Sequence, residues 1–173
     1  MEMINEVAKA IVDSVKYGGK VIICGNGGLA AESEHFAAEL MGKYAFDVFV
    51  PCIALTTNSA LITALSNDMG YEFVFSHQVE RLGRARDVFI GMTTSKSQNI
   101  VNALWSASDR KLVTVILCGS KFPYKADYKI RNSGGDTAEI QERILIYLHK
   151  LAYEVKRILK LEGNIERLTC EPK

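Results

Sequence analysis

His35 and Glu39 stand four residues apart in CGNGGLAAESEHFAAEL (24–40), just after an apolar run and a glycine turn. On a helix that spacing is one turn, so the two side chains share a face and offer an imidazole nitrogen and a carboxylate oxygen to one ligand. Such a pair suits a metal ion or a proton transfer; a plain i,i+4 surface contact has the same spacing. The preceding turn, Gly25-Asn26-Gly27-Gly28, lets the backbone come close to a small molecule. It also opens a helix whose free amide groups attract an anion. It is not G-x-G-x-x-G, and no acidic residue ends the next apolar run, which argues against a dinucleotide.

Three further groups carry possible chemistry. TTSKSQN (93–99) places Thr93, Thr94, Ser95 and Ser97 at a helix start. One cap needs one hydroxyl, whereas four hydroxyls with the free amide groups make a phosphate cradle. Asn67 and Asp68 close TTNSALITALSNDMG (56–70) at a turn where both can face a polyhydroxy ligand, while Asn58 or Ser59 caps the helix before them. Gln141, Glu142 and His149 punctuate the apolar IQERILIYLHKLAYEV (140–155). Taken by itself, His149 reads first as a core histidine with a satisfied partner, and second as a ligand.

Positioning these groups falls to five short apolar runs: KVIIC (20–24), CIALT (52–56), DVFIGM (87–92), VTVILC (113–118) and the less apolar DYKIRN (127–132). Short runs rich in β-branched residues, apolar at successive positions, are strands buried on both faces. Helix-period stretches fill 29–43, 58–67, 71–82, 97–109 and 137–160, and MEMINEVAKAIVDSVKYGGK reads as an amphipathic helix before them. Strand and helix alternate, which demands a parallel sheet with helices on both faces, because each crossover must return along the sheet. The expected fold is α/β: a three-layer sandwich with a five-stranded parallel sheet. Ligands of such folds gather beyond the carboxyl ends of the strands, at a topological switch point. GNGG and TTSKSQN both fall at such ends.

The 173 residues, 48% of them apolar, suffice for one domain with a full core. A single domain over 1–161 with a polar tail over 162–173 is expected. Lys and Arg number 21 against 20 Asp and Glu, which argues against a nucleic-acid surface but leaves room for a local anion site. Cys24, Cys52, Cys118 and Cys170 form no C-x-x-C, and read as buried, reduced thiols. The N-terminus carries acids and no long apolar core, and no run approaches the ~18 apolar residues of a membrane span, so a soluble cytoplasmic protein is expected.

The ordered set GNGG, H-F-A-x-E-L, N-D-x-G, T-S-x-S and D-T-x-x-I-Q-E with a His eight after the Gln resembles the sedoheptulose-7-phosphate isomerases, or phosphoheptose isomerases. These belong to the sugar isomerase (SIS) domain superfamily, which has a flavodoxin-like sandwich. The resemblance covers about residues 5 to 160 in order. It implies aldose–ketose isomerisation of sedoheptulose 7-phosphate to D-glycero-D-manno-heptose 7-phosphate through an enediol, for heptose-containing surface polymers such as lipopolysaccharide. It also implies one zinc per site at His35, Glu39, Gln141 and His149, with Glu39 and His149 as the acid–base pair. Ser95 and Ser97, with Thr93 and Thr94 beside them, fall on the phosphate turn. Asn26, Gly27, Gly28, Asn67, Asp68, Thr137 and Gln141 line the sugar. Lys43 stands where the family usually has Arg, reaching a neighbouring subunit's ligand in a homotetramer.

Three departures bear on the expected function. Leu29 follows GNGG where the family usually has Ser; TSKS is one residue shorter than the usual T-S-G-x-S and carries Lys96; part of an N-terminal helical extension is missing. The donor-and-carboxylate half is intact and the phosphate-anchoring half is altered. An isomerase of another phosphosugar, or a non-catalytic relative that binds phosphosugars or the replication initiator, fits those departures; the retained donors and carboxylate favour the heptose isomerase. Gln141 and His149 pose a geometric demand, since eight residues separate them by about 12 Å along a helix axis. Completion of the site by another subunit would relieve it.

Overall fold

The computed structural model describes residues 2–163. Its elements alternate as expected: α1 (Glu2–Lys16), β1 (Val21–Cys24), α2 (Gly28–Met41), β2 (Cys52–Ala54), α3 (Ser59–Asp68), α4 (Val74–Leu82), β3 (Val88–Thr93), α5 (Gln98–Asp109), β4 (Val113–Gly119), β5 (Tyr128–Asn132) and α6 (Thr137–Leu161). The strands form one all-parallel sheet in the order β2-β1-β3-β4-β5.

Strand side chains alternate between two cores. Val21, Ile23, Val88, Ile90, Val115 and Leu117 pack under α1, α2 and α6, whereas Ile22, Phe89 and Ile116 pack under α3, α4 and α5. Both faces are covered, which is why these strands are apolar at every position. The chain leaves β1 toward one side of the sheet and β3 toward the other, so the switch point lies between these neighbours. Helices α2, α5 and α6 all begin just beyond the carboxyl ends of strands.

Three boundaries differ from expectation. β2 stops at Ala54, where Thr57 Oγ1 donates to the Ala54 carbonyl and turns the chain. The helix expected over 71–82 is split: Tyr71–Phe73 form a tight helical turn after Gly70 and α4 follows. α2 ends at Met41, and Gly42 leaves it in an extended conformation. Of the expected tail over 162–173, only Glu162 and Gly163 are described; Glu162 pairs with Lys16 at 2.5 Å, fastening the end of α6 to α1. The rest of the tail, including Cys170, lies outside the described residues. No helix among the described residues is long and apolar enough to cross a membrane.

Candidate functional site

The turn between β1 and α2 is tight. Gly27 adopts φ +58°, a left-handed conformation that other residues rarely take. At Gly28 a Cβ atom would lie 3.1 Å from Gln141 Nε2, so the missing side chain is what lets the Gln141 amide rest on the start of α2. Asn26 and Asn99 exchange side-chain amide hydrogen bonds of 2.9 Å each, and the Tyr71 hydroxyl donates to Asn26 Oδ1 at 2.9 Å. Asn26, expected to line the sugar, thus ties the turn to the first turn of α5.

Helix α6 runs beside α2 in the same direction. Gln141 meets Gly28, His149 meets Glu39, and Lys156 meets Gly42. The middle contact gathers the expected donors. His149 Nε2 lies 3.2 Å from Glu39 Oε1 and His35 Nε2 lies 3.4 Å from the same atom. The three donor atoms lie within 4.8 Å of one another. Glu39 is buried, and its second oxygen, Oε2, has no hydrogen-bond partner. A buried carboxylate oxygen without a partner is costly, and two imidazoles beside it form a nitrogen–oxygen donor set that zinc accepts. The residues fit a metal ion.

The imidazoles are also oriented by the protein. Glu32 Oε2 lies 3.4 Å from His35 Nδ1. The two imidazole rings meet edge to face at 5.1 Å, and Tyr44 stacks on His149 at 6.2 Å. Burial, then the negative charge of Glu39 and the nearby Tyr153, raise the Tyr44 phenol above its ordinary value, which keeps it a neutral donor. A cleft of about 410 Å³ opens at His149, walled by Tyr44, Tyr153 and the start of α1 at Ile4 and Asn5.

Gln141 does not join this group. It sits at Gly28, eight residues and about 12 Å of helix axis before His149. Gly28 itself is eleven residues, about 16 Å, before Glu39 along α2. The donors and the glycine turn therefore occupy different stretches of one interhelical groove.

The hydroxyl turn lies at the glycine-turn end. Thr93 Oγ1 and Ser97 Oγ are 3.2 Å apart, and the Ser95 N–H donates to Thr93 Oγ1 at 3.2 Å. Ser97 occupies the N-cap of α5 without making a side-chain cap bond, so its hydroxyl is available to an anion. Ser95 is exposed, Thr94 half-buried and Thr93 buried. The Lys96 ammonium rests 5.4 Å over the Tyr124 ring, which is braced edge-on by Trp105 and Phe122. Leu29 is buried in the core between the sheet and α6, at 2% exposure, and contributes nothing polar to the turn.

The remaining expected residues stand apart. Asn67 donates to Asp68 Oδ1 at 2.8 Å on the exposed end of α3. Thr137 is exposed at the first turn of α6, which Asp136 caps by accepting from the Glu139 N–H. Lys43 is exposed and, among the described residues, pairs with Asp47 at 3.9 Å. Sequence reasoning missed Tyr44, Tyr71 and Asn99. Asn99 closes the quoted TTSKSQN and Tyr71 follows the N-D-x-G turn, so both sat beside recognised motifs; Tyr44 had no signal beyond its place after Lys43.

The SIS domain family model matches residues 1–119. Phosphoheptose isomerase 1 of Campylobacter jejuni is 42% identical over 153 residues, covering 86% of this chain and 82% of its own length. The phosphoheptose isomerase of Synechocystis is 40% identical over 167 residues, covering 94% and 86%. Among solved structures, the phosphoheptose isomerase of Neisseria gonorrhoeae superposes with a TM-score of 0.84 at 33% identity, covering 91% of this chain and 86% of that one. That of Francisella tularensis gives 0.86 at 33% identity, covering 90% and 86%. The chain belongs to the phosphoheptose isomerase family of SIS-domain proteins.

Proposed function

We propose that the protein interconverts sedoheptulose 7-phosphate and D-glycero-D-manno-heptose 7-phosphate, and that each active site is assembled from two copies of the chain in a homotetramer. The observation that carries the first part is the convergence of Glu39 and His149, on two different helices, beside a cleft. Aldose–ketose isomerisation moves one proton between adjacent carbons through an enediol. Glu39, buried on one side and open toward the histidines, takes the proton from one carbon and returns it to the next. His149 donates to the neighbouring oxygen as its charge develops, held in plane by the Tyr44 ring. A zinc ion held by His35, Glu39 and His149 would supply a Lewis acid that polarises the sugar carbonyl.

The second part rests on distance. Gln141 lies about 12 Å along α6 from His149, and Gly28, at whose end of the groove the hydroxyl turn sits, lies about 10 to 16 Å along α2 from His35 and Glu39. A Gln141 that serves as the fourth donor, and a phosphate held by Ser95 and Ser97, are therefore best supplied across a subunit boundary. Lys43, exposed at the end of α2, has the reach for the same role. Asn26, Gly27, Gly28 and Thr137 then face the middle of the sugar, with Asn67 and Asp68 at its rim. The reaction would take place in the cytoplasm and feed heptose-containing surface polymers.

Mixing two inactive variants tests both parts. Glu39→Gln removes the base and Ser97→Asp repels the phosphate. Each alone should be inactive, and subunits of the two, dissociated and reassembled together, should regain a measurable share of wild-type turnover. Product is read by NMR in deuterated water, with deuterium entering beside the carbonyl. A wild-type protein that is folded and zinc-loaded yet gives neither product nor exchange defeats the isomerase reading. Active wild type with no recovery on mixing defeats the shared site.

A further inference from the structure

Lys156 is the most unusual side chain in the helical layer that carries the donors. It is wholly buried, at 0% exposure, among the largest fully buried side chains of the described residues. Its Nζ donates to the Gly42 carbonyl at 2.5 Å. Burying an ammonium group is costly, and an apolar residue of similar size is often neutral or stabilising in its place. Stability alone therefore gives little reason for a lysine here.

Its neighbours suggest a reason. Gly42 is the C-cap of α2, and its N–H donates to the Ala38 carbonyl. The next carbonyls of that end are held too: Leu40 O accepts from the Val50 N–H at 2.9 Å and Gly42 O accepts from Lys156. Gly42 follows Glu39 by three residues, less than one turn. Lys156 follows His149 by seven residues, two turns, so both project from one stripe of α6. That stripe meets α2 at three points: Gln141 at Gly28, His149 at Glu39 and Lys156 at the Gly42 carbonyl. The first two lie at or before Glu39, and among the three only Lys156 holds α2 beyond it. With Glu39 bracketed on both sides, the end of α2 cannot swing away from α6, and the distance from His149 to Glu39 is fixed.

We infer that Lys156 is a positioning residue: by clamping the end of α2 to α6 it holds Glu39 and His149 at the separation at which one ion and one substrate engage both. The inference rests on the metal-and-base reading of His35, Glu39 and His149. Lys156 touches neither substrate nor ion, and acts through the helix that bears the base. Burial lowers the Lys156 pKa from the ordinary lysine value, and the charges of Glu39 and Asp47, which favour its charged form, offset this only in part.

The test uses the full-length protein with Lys156→Met, which keeps the volume, and Lys156→Gln, which keeps a shorter hydrogen-bond donor. Zinc affinity is measured by competition with a chromophoric chelator, kcat and KM with sedoheptulose 7-phosphate, and stability by thermal melting. The expected result for Lys156→Met is a melting temperature at or above wild type, zinc bound about tenfold more weakly, and kcat reduced about tenfold or more with KM within twofold. Lys156→Gln should lie between Met and wild type in both zinc affinity and kcat, and it carries the same readouts if the Met variant does not fold. Unchanged zinc affinity in a folded variant overturns the inference, as does a loss of stability with kcat intact. Because zinc affinity is read without turnover, an inactive wild type would defeat the proposed activity and leave the clamp still under test.

Discussion

The donor group and the hydroxyl turn are built in opposite ways. His35 and Glu39 come from α2 and His149 from α6, so helical backbone hydrogen bonding sets the direction in which each side chain leaves its helix. Thr93, Thr94, Ser95, Lys96 and Ser97 lie at the end of a strand, where the chain is turning and the hydroxyls bond partly to one another. A departure in the first region breaks a fixed geometry. A change in the second can be taken up by the turn itself, whose hydroxyls are held mainly by one another.

Removing the proposed base gives the sharpest separation between the two regions. Glu39→Gln should lower kcat about 10³-fold, within the range assigned to a positioned acid or base, and leave binding of inorganic phosphate unchanged. Rapid-quench turnover and phosphate titration on the same protein check this. Tight phosphate loss in that variant would mean the regions are coupled.

Placing serine after GNGG tests whether position 29 belongs to the hydroxyl-turn region at all. Leu29 is part of the core under α6. Leu29→Ser should therefore cost about 2–4 kcal/mol of stability, as large-to-small core changes do, with KM nearly unaltered. Denaturant unfolding beside a KM measurement decides it; a lower KM with full stability would show the serine reaching phosphate.

Within the turn the expected effect is smaller. Ser97→Ala removes one hydroxyl among several groups and should raise KM about tenfold, near the lower end for one hydrogen bond to a charged group, with kcat unchanged. Steady-state kinetics checks it, and a fall in kcat alone would assign Ser97 to the chemistry.

The smallest effect concerns sulfur. Burial raises the Cys24 and Cys118 thiols and pushes Cys52 up to about 12, so few thiolates exist at neutral pH. Iodoacetamide should leave all three untouched in the folded protein, as peptide mass spectrometry would report, and zinc uptake should be unaffected. Labelling of any of them would reveal an opening motion of its strand.

The same contrast explains what could be read from the chain alone. Period-3.6 and continuous apolar runs are local, and they located all five strands and the long helices within a few residues. The i,i+4 spacing of His35 and Glu39 also survived into the fold, because a helix converts spacing into direction. Taken by itself His149 reads first as a core histidine, and only the resemblance implied a ligand; its partner Glu39 lies 110 positions away in the chain and meets it only when α6 packs beside α2. Tyr71 and Asn99 meet Asn26 only through tertiary packing, so their motifs were visible and their contacts were not. Lys156 gave no signal, because a lysine on a helix is ordinarily at the surface.

Four helices, α2, α3, α5 and α6, begin beyond the carboxyl ends of the strands that precede them, at Gly28, Ser59, Gln98 and Thr137. Each contributes the positive end of its macrodipole to that rim, roughly half an elementary charge apiece. The rim therefore carries a standing positive potential that no side chain needs to supply. Its attraction for an anion cannot be switched off by deprotonation, so across the neutral range the pH dependence of anchoring follows the ligand's own second phosphate ionisation, and rising salt is what weakens it.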